Sequence, residues 1–486
     1  MTPRALRLPA LVLGLTLVIF ACGNRGDERG RADVDLSGFD APTRLLRPGG
    51  MTTAFDDSER AFSLTARNVN HYERQVFAAG KAIFEVLWTA RESSEFTGLG
   101  PDFDAPACAS CHTDDGRSPG PSGDGPLPLG MVVKLSTDDP SVIEAYGPGL
   151  TSSATDGEPE ARIMVSFETV SGEFDDGTPY ELRRPVYSVE ASRGPEIPDD
   201  AVLRVRVAPQ LPGLGLLELI SVDDLENLSD PDDRDGDGIS GRLGRARDAF
   251  LDIDVVGRFG WNGDQPTVEQ QAATAFFNEM GLTSRYFPAS ECGQGGDCVV
   301  TGGPVTSYYE PSGFGGEVVG AIDPVEGEVG DDRLYQLTIY AQVLAVPGPR
   351  DLDDPEVQRG WELFNYAGCA ACHAGPYVTE RGPIQGLSGQ QIQPFTDLLV
   401  HDLGIGLSDQ TVGGEPVPTE WRTPPLWGIG LLDTVGGQVS LLHDGRARGY
   451  EEAILWHDGE AAASAAAYRA MSASDRDAVI RFLESL

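Results

Sequence analysis

Two short stretches decide the reading: Cys108-Ala-Ser-Cys111-His112 and Cys369-Ala-Ala-Cys372-His373. Each is C-x-x-C-H, the pattern by which c-type haem is attached. Two thiols about one helical turn apart reach the two vinyl groups of a single porphyrin, and the adjacent imidazole then meets the iron from one side. In a chain with seven cysteines and six histidines, chance gives roughly one such motif per thousand chains of this length, so two imply two covalently bound haems c. Cys108, Cys111, Cys369 and Cys372 are the attachment thiols, and His112 and His373 the proximal iron ligands.

Outward from each motif the chain repeats itself. Gln75-Val-Phe-Ala-Ala-Gly80-Lys-Ala-Ile-Phe84 precedes the first and Gly360-Trp361-Glu-Leu-Phe364 the second, each with glycine and phenylalanine four apart on one helical face. This resembles small cytochromes c, in which a leading helix of this kind crosses a closing helix and the glycine allows the close approach. Asp354-Pro355 starts the second leading helix, and Ser474 is expected to cap the closing helix Asp475 to Ser485. Between the motifs, Met131-Val-Val-Lys-Leu, Ala161-Arg-Ile-Met-Val-Ser-Phe and Val202-Leu-Arg-Val-Arg-Val read as strands, and Thr267 to Met280 as a helix. The fold class is therefore mainly α with irregular loops and some β, two cytochrome-c-like haem units joined by a strand-containing middle region. The units are expected at residues 63–130 and 346–486, the middle region at 131–345.

Two features of the middle region carry further chemistry. Asp233, Asp235 and Asp237 alternate in a glycine-rich turn, and with Ile239 they form the oxygen-rich first half of a Ca²⁺ loop. No glutamate stands at the twelfth place, so a full EF-hand is excluded, and the same residues also suit a plain solvated acidic turn. Cys292 and Cys298 lack an adjacent histidine and suit a small disulfide loop in an oxidising compartment.

The amino terminus supplies that compartment. Arg4 and Arg7 precede an apolar run, Leu8 to Ala21, built like a secretory signal and ending Ile19-Phe20-Ala21-Cys22. This resembles a bacterial lipobox, with residues 1–21 removed and Cys22 lipidated, and residues 22–62 form a polar tether. The expected location is the cell envelope, facing the periplasm, with membrane contact through the lipid anchor only. The net charge of −40 would repel phosphate backbones, which excludes nucleic acid and favours a basic redox partner.

Further motifs carry a family resemblance. Gly98-Leu-Gly-Pro101, Asp235-Gly-Asp-Gly-Ile-Ser-Gly-Arg242, Gly257-Arg-Phe-Gly-Trp261, Thr423-Pro-Pro-Leu-Trp427 and His443-Asp-Gly-Arg-Ala447 accompany the two haem motifs in order. With them the chain, over about residues 63 to 486, resembles the di-haem oxidoreductases called peroxidases or "thiol oxidoreductases", relatives of bacterial di-haem cytochrome c peroxidases and of MauG. In those peroxidases a methionine fourteen residues beyond the His-Asp-Gly histidine is the second ligand of the carboxy-terminal haem. The resemblance puts His457 there, making that haem bis-histidine, low-spin and suited to electron transfer. His401, His443, Arg446, Trp261, Arg117 and His71 are candidates around the haems. No histidine follows His112 until His373, so only His71 or Met131 could be a second ligand to the first haem, and an open iron is the leading expectation. The resemblance implies an exported peroxidase-like oxidoreductase passing electrons between its haems, with peroxide or a small oxidisable substrate and an electron-transfer protein or small redox carrier as partners. The alternative is an electron-transfer cytochrome without substrate chemistry.

Overall fold

Asn70 begins the first long helix, His71–Glu85. Its side chain accepts from Glu73 N at 3.0 Å while the Glu73 carboxylate accepts from Asn70 N at 2.7 Å, satisfying two donors that a helix start leaves orphaned. Gly80 sits where this helix crosses the helix Asp331–Gln342; a Cβ there would strike the Gln336 carbonyl oxygen and the Tyr340 side chain. The arrangement recurs. Asp354 caps the helix Pro355–Tyr366, and Gly360 lies against the Ala478 carbonyl and Phe482 of the last helix, Ala473–Ser485. The computed structural model describes residues 43–90, 94–288 and 327–486; Cys22, Cys292 and Cys298 lie outside them.

Two sequence expectations shift. The cap of the last helix is Ser472, whose hydroxyl accepts from Asp475 N at 3.2 Å, because Ser472 has extended backbone and Ser474 already lies inside the helix. The helix that crosses His71–Glu85 comes from the end of the stretch read as the middle region, some 250 residues along the chain.

The β structure is two small antiparallel sheets and a few short pairs. Met131–Ser136 pairs with Val202–Val207 over six residues, and that five-stranded sheet is extended beyond Val202–Val207 by Asp409–Thr411 and then by Pro416–Val417 at its edge, both from beyond the second motif. Ala161–Glu173 and Pro179–Ala191 form a long hairpin joined by Gly125–Pro126. Alternate residues Met131, Val133 and Leu135 face one core with Leu203, Val205, Ile163 and Val165, as a period of two requires. A separate core gathers Phe77, Phe84, Trp88, Phe276 and Tyr340 from the first helix pair and Val268–Met280. Among the described residues no helix is long and apolar enough to cross a membrane.

Candidate functional site

Each C-x-x-C-H follows its leading helix, and the phenylalanine four residues beyond the crossing glycine reaches the motif histidine. Phe84 lies 6.2 Å from the His112 ring and Phe364 6.2 Å from the His373 ring, centre to centre. Each imidazole is anchored through Nδ1: His112 to the Pro209 carbonyl at 2.8 Å, His373 to that of Phe395 at 3.0 Å. A backbone carbonyl accepts only from N–H, so each ring carries its proton on Nδ1 and leaves Nε2 with its lone pair free. Burial lowers the pKa of both to about 4, which keeps them neutral.

Beside His373 opens a cavity of about 190 Å³, partly open to solvent. His457 lines the same cavity. It ends the helix Tyr450–Trp456, and its Nδ1 is tied to the Ala453 carbonyl at 2.6 Å, so it too has Nε2 free, and burial lowers its pKa. The remaining walls are mostly apolar, with Phe364, Leu407, Leu426, Ile429 and Leu483 among them.

The other candidate histidines do different work. His401 is tied at both nitrogens, Nε2 to Asp397 at 2.9 Å and Nδ1 to Glu460 at 2.7 Å, with Cys372 Sγ 4.0 Å away. Burial opposes its charge, but hydrogen bonds to Asp397, Cys372 and Glu460 raise its pKa to about 12. It is an imidazolium with no lone pair to give a metal. Glu460 also accepts from Ser240 N and Oγ, at 3.0 and 2.8 Å, which links the cavity to the acidic loop. His443 stacks on Trp421 at 3.7 Å and 11°, with Arg206 on the other face of that indole, and burial takes its pKa down to about 3. Arg446 is buried in an ion pair with Asp444 at 2.7 Å. His71 stands apart, exposed at the start of its helix, about 20 Å along the axis from Phe84. Met131 packs in the sheet core.

Asp233, Asp235 and Asp237 bring one carboxylate oxygen each within 4.8 Å of one another, and Ile239, just beyond, lines the cavity. The loop is held open by hydrogen bonds from Gly238 N to Asp233 at 3.1 Å and from Ile239 N to Asp237 at 2.8 Å.

One segment joins the two motif regions. Val207 N donates to the His443 carbonyl at 2.8 Å, Trp261 Nε1 donates to the Val207 carbonyl at 2.9 Å, Pro209 carries the His112 bond, and Gln210 lines the second cavity. The Pro209 carbonyl and the Asp397–His401–Glu460 set escaped the sequence reading. A carbonyl carries no residue signature, and Glu460 lies 59 residues from its imidazole.

Because His401 is charged in the fold and neutral in an unfolded chain above its ordinary pKa of 6.5, its contribution to stability is full below pH 6.5 and declines as pH rises toward 12. Glu460, which burial would raise but His401 holds down at about 2, contributes above its ordinary 4.5 and loses this as pH falls. The stability gap between the native protein and His401→Gln, from urea midpoints, should therefore be widest near pH 5–6.5 and shrink by at most about 1.4 kcal/mol per pH unit above that. A gap unchanged between pH 6 and 9 would contradict this pairing.

Two anchored imidazoles, each following two cysteines, with an apolar cavity beside the second, are the arrangement a haem-binding redox protein needs. A family model described as "di-haem oxidoreductase, putative peroxidase" matches residues 43–141 and 151–486, and the chain belongs to that family. No curated protein and no solved structure matches it. Haem cofactors follow from the family, and the residues fit them. Three neutral imidazoles present a free Nε2, and the half-buried Cys108 and Cys369 thiols, which desolvation pushes up to about 12, are not reactive thiolates.

Proposed function

We propose that the chain is an exported di-haem c-type cytochrome oxidoreductase with peroxidase-like activity, electrons passing between its two haems. The observation that carries this reading is the duplicated Gly, Phe and anchored histidine before and within each C-x-x-C-H. Cys108 and Cys111 hold one haem and Cys369 and Cys372 the other, with His112 and His373 as proximal ligands and His457 as the second ligand in the cavity. Bound haem iron supplies one-electron chemistry and, where a coordination place is open, a site for peroxide.

The residues divide the work. His373 and His457, which line the same cavity, would both ligate the second haem's iron, which suits a relay. Among the six histidines only His112 serves the first motif, since His71 is remote and the other three non-motif histidines line the second cavity; this leaves the first site open for reaction. The Val207–Gln210 segment and Trp261 form a hydrogen-bonded connection between the motif regions. Asp233, Asp235 and Asp237 are assigned a Ca²⁺, whose release would loosen the Ser240–Glu460–His401 chain. Cys22 anchors the protein in the envelope facing the periplasm, Cys292 and Cys298 form a disulfide, and the acidic surface favours a basic electron partner or small redox carrier.

The test is the optical and EPR spectrum of the ferric and half-reduced protein, with haem counted as the pyridine haemochrome. Two haems per chain, one low-spin and one high-spin in at least one state, with the high-spin signal altered by peroxide, is the expected result. Two low-spin haems in both states would favour the pure electron carrier instead.

A further inference from the structure

Seven arginines are buried among the described residues, and most have an evident reason to be there. Arg206 pairs with Asp409 at 2.7 Å, Arg446 with Asp444 at 2.7 Å, and Arg476 with Asp176 at 3.1 Å. Among the described residues Arg183 and Arg258 have no ion pair, and neither lines the cavity. Arg117 and Arg422 are different: both line the cavity of His373 and His457, and neither has a carboxylate within ion-pair distance among the described residues. Arg117, 8 % exposed, donates from Nη2 to the Leu442 carbonyl, lies 5.1 Å over the Trp261 ring, and leaves its buried Nε with no partner. Arg422, 7 % exposed, donates only to the backbone carbonyls of Gly260 at 2.8 Å and Thr423 at 3.1 Å.

An unpaired buried guanidinium costs several kcal/mol unless a counter-charge reaches it. The one carboxylate on the cavity wall, Glu460, is already engaged by His401 and Ser240. Anions that pair directly with these guanidiniums would arrive with the ligand, and two guanidiniums lining one cavity match a ligand with two carboxylates. Burial lowers the pKa of Arg117 to about 9 and of Arg422 to about 10, against the weaker opposing pull of Asp444 on the first and of Asp264 and Asp397 on the second.

We propose that Arg117 and Arg422 bind the two propionate carboxylates of the haem held by Cys369 and Cys372, so that the peptide directly after the first haem motif anchors the second haem. The proposal rests on the two-haem reading above. Its consequence is coupling: Arg117 is five residues from His112, and the Pro209 carbonyl that fixes His112 precedes Gln210 on the same wall. The second haem's charge is thus balanced by the first haem's own segment, and its propionates face the wall shared with the first motif.

The holoprotein carrying Arg117→Gln should keep two haems per chain by pyridine haemochrome, which tests the two-haem reading independently. Removing a buried cation favours the oxidised state. Spectroelectrochemistry should therefore show the low-spin haem harder to reduce by about tenfold in its equilibrium, about 59 mV for one electron. The resonance Raman propionate bending band of that haem should shift. Arg117→Lys should restore most of the potential while leaving the band shifted, since an ammonium cannot form the guanidinium's forked bonds. Arg422→Gln should act on the same haem in the same direction, and it decides the question if Arg117→Gln does not fold. An unchanged low-spin potential and propionate band in the folded variants, or a change confined to the high-spin haem, would overturn the assignment.

Discussion

Replacing His457 by glycine is expected to turn half of the haem iron from low-spin to high-spin, and added imidazole to restore it. The expectation rests on a side chain that does little else. His457 is the residue after the helix Tyr450–Trp456, with extended backbone, and its one side-chain bond is Nδ1 to the Ala453 carbonyl. Glycine is well tolerated at a helix carboxy terminus, so the fold should survive. The cavity would gain the volume of an imidazole next to His373, which free imidazole can fill. A structural role would produce a different pattern: loss of both haem spectra together, or lower haem content without a change of spin state. EPR of the ferric variant, with and without imidazole, separates these outcomes, and an unchanged low-spin signal would remove His457 from the iron.

His401 and His457 show why the sequence was legible in some places and silent in others. Gly80 and Gly360 could be read because a backbone crossing excludes a Cβ, which leaves a local mark: glycine, then phenylalanine four residues on. Met131–Ser136 and Ala161–Glu173 could be read because one buried face imposes a period of two. The partner of the His71–Glu85 helix could not, since nothing local to Asp331–Gln342 points back some 250 residues. The histidines lie between these cases. Spacing from His443 singled out His457, but it could not distinguish a free imidazole from His401, which Asp397 and Glu460 occupy from both sides. That difference depends on tertiary contacts alone. The same holds for Arg117: the sequence offered it only as a candidate around the haems, whereas its side chain lines the cavity beside the second motif.

Asp444→Asn should cost about 3–5 kcal/mol of stability, the usual result of stripping one partner from a buried ion pair. Asp444 is 1 % exposed, accepts from Arg446 Nε at 2.9 Å and from Tyr187 at 3.2 Å, and is 3.7 Å from His443 Nε2. Burial would raise its pKa, but Arg446 and His443 hold it well below the ordinary carboxylate range. An amide keeps the shape and removes the charge, leaving the Arg446 guanidinium 4 % exposed with only the Gly406 carbonyl and the Trp456 face for company. Asp444→Asn should therefore lower the urea midpoint sharply, whereas Asp444→Leu with Arg446→Leu, which removes both charges, should recover a large part of the loss. Asp444 also lies beside His443, which stacks on Trp421 in the wall of the cavity. If its role is confined to folding, the single variant, assayed below its unfolding midpoint, should keep the low-spin spectrum of the second haem. If the double variant is as unstable as Asp444→Asn, the cost lies in lost packing rather than in the stranded charge.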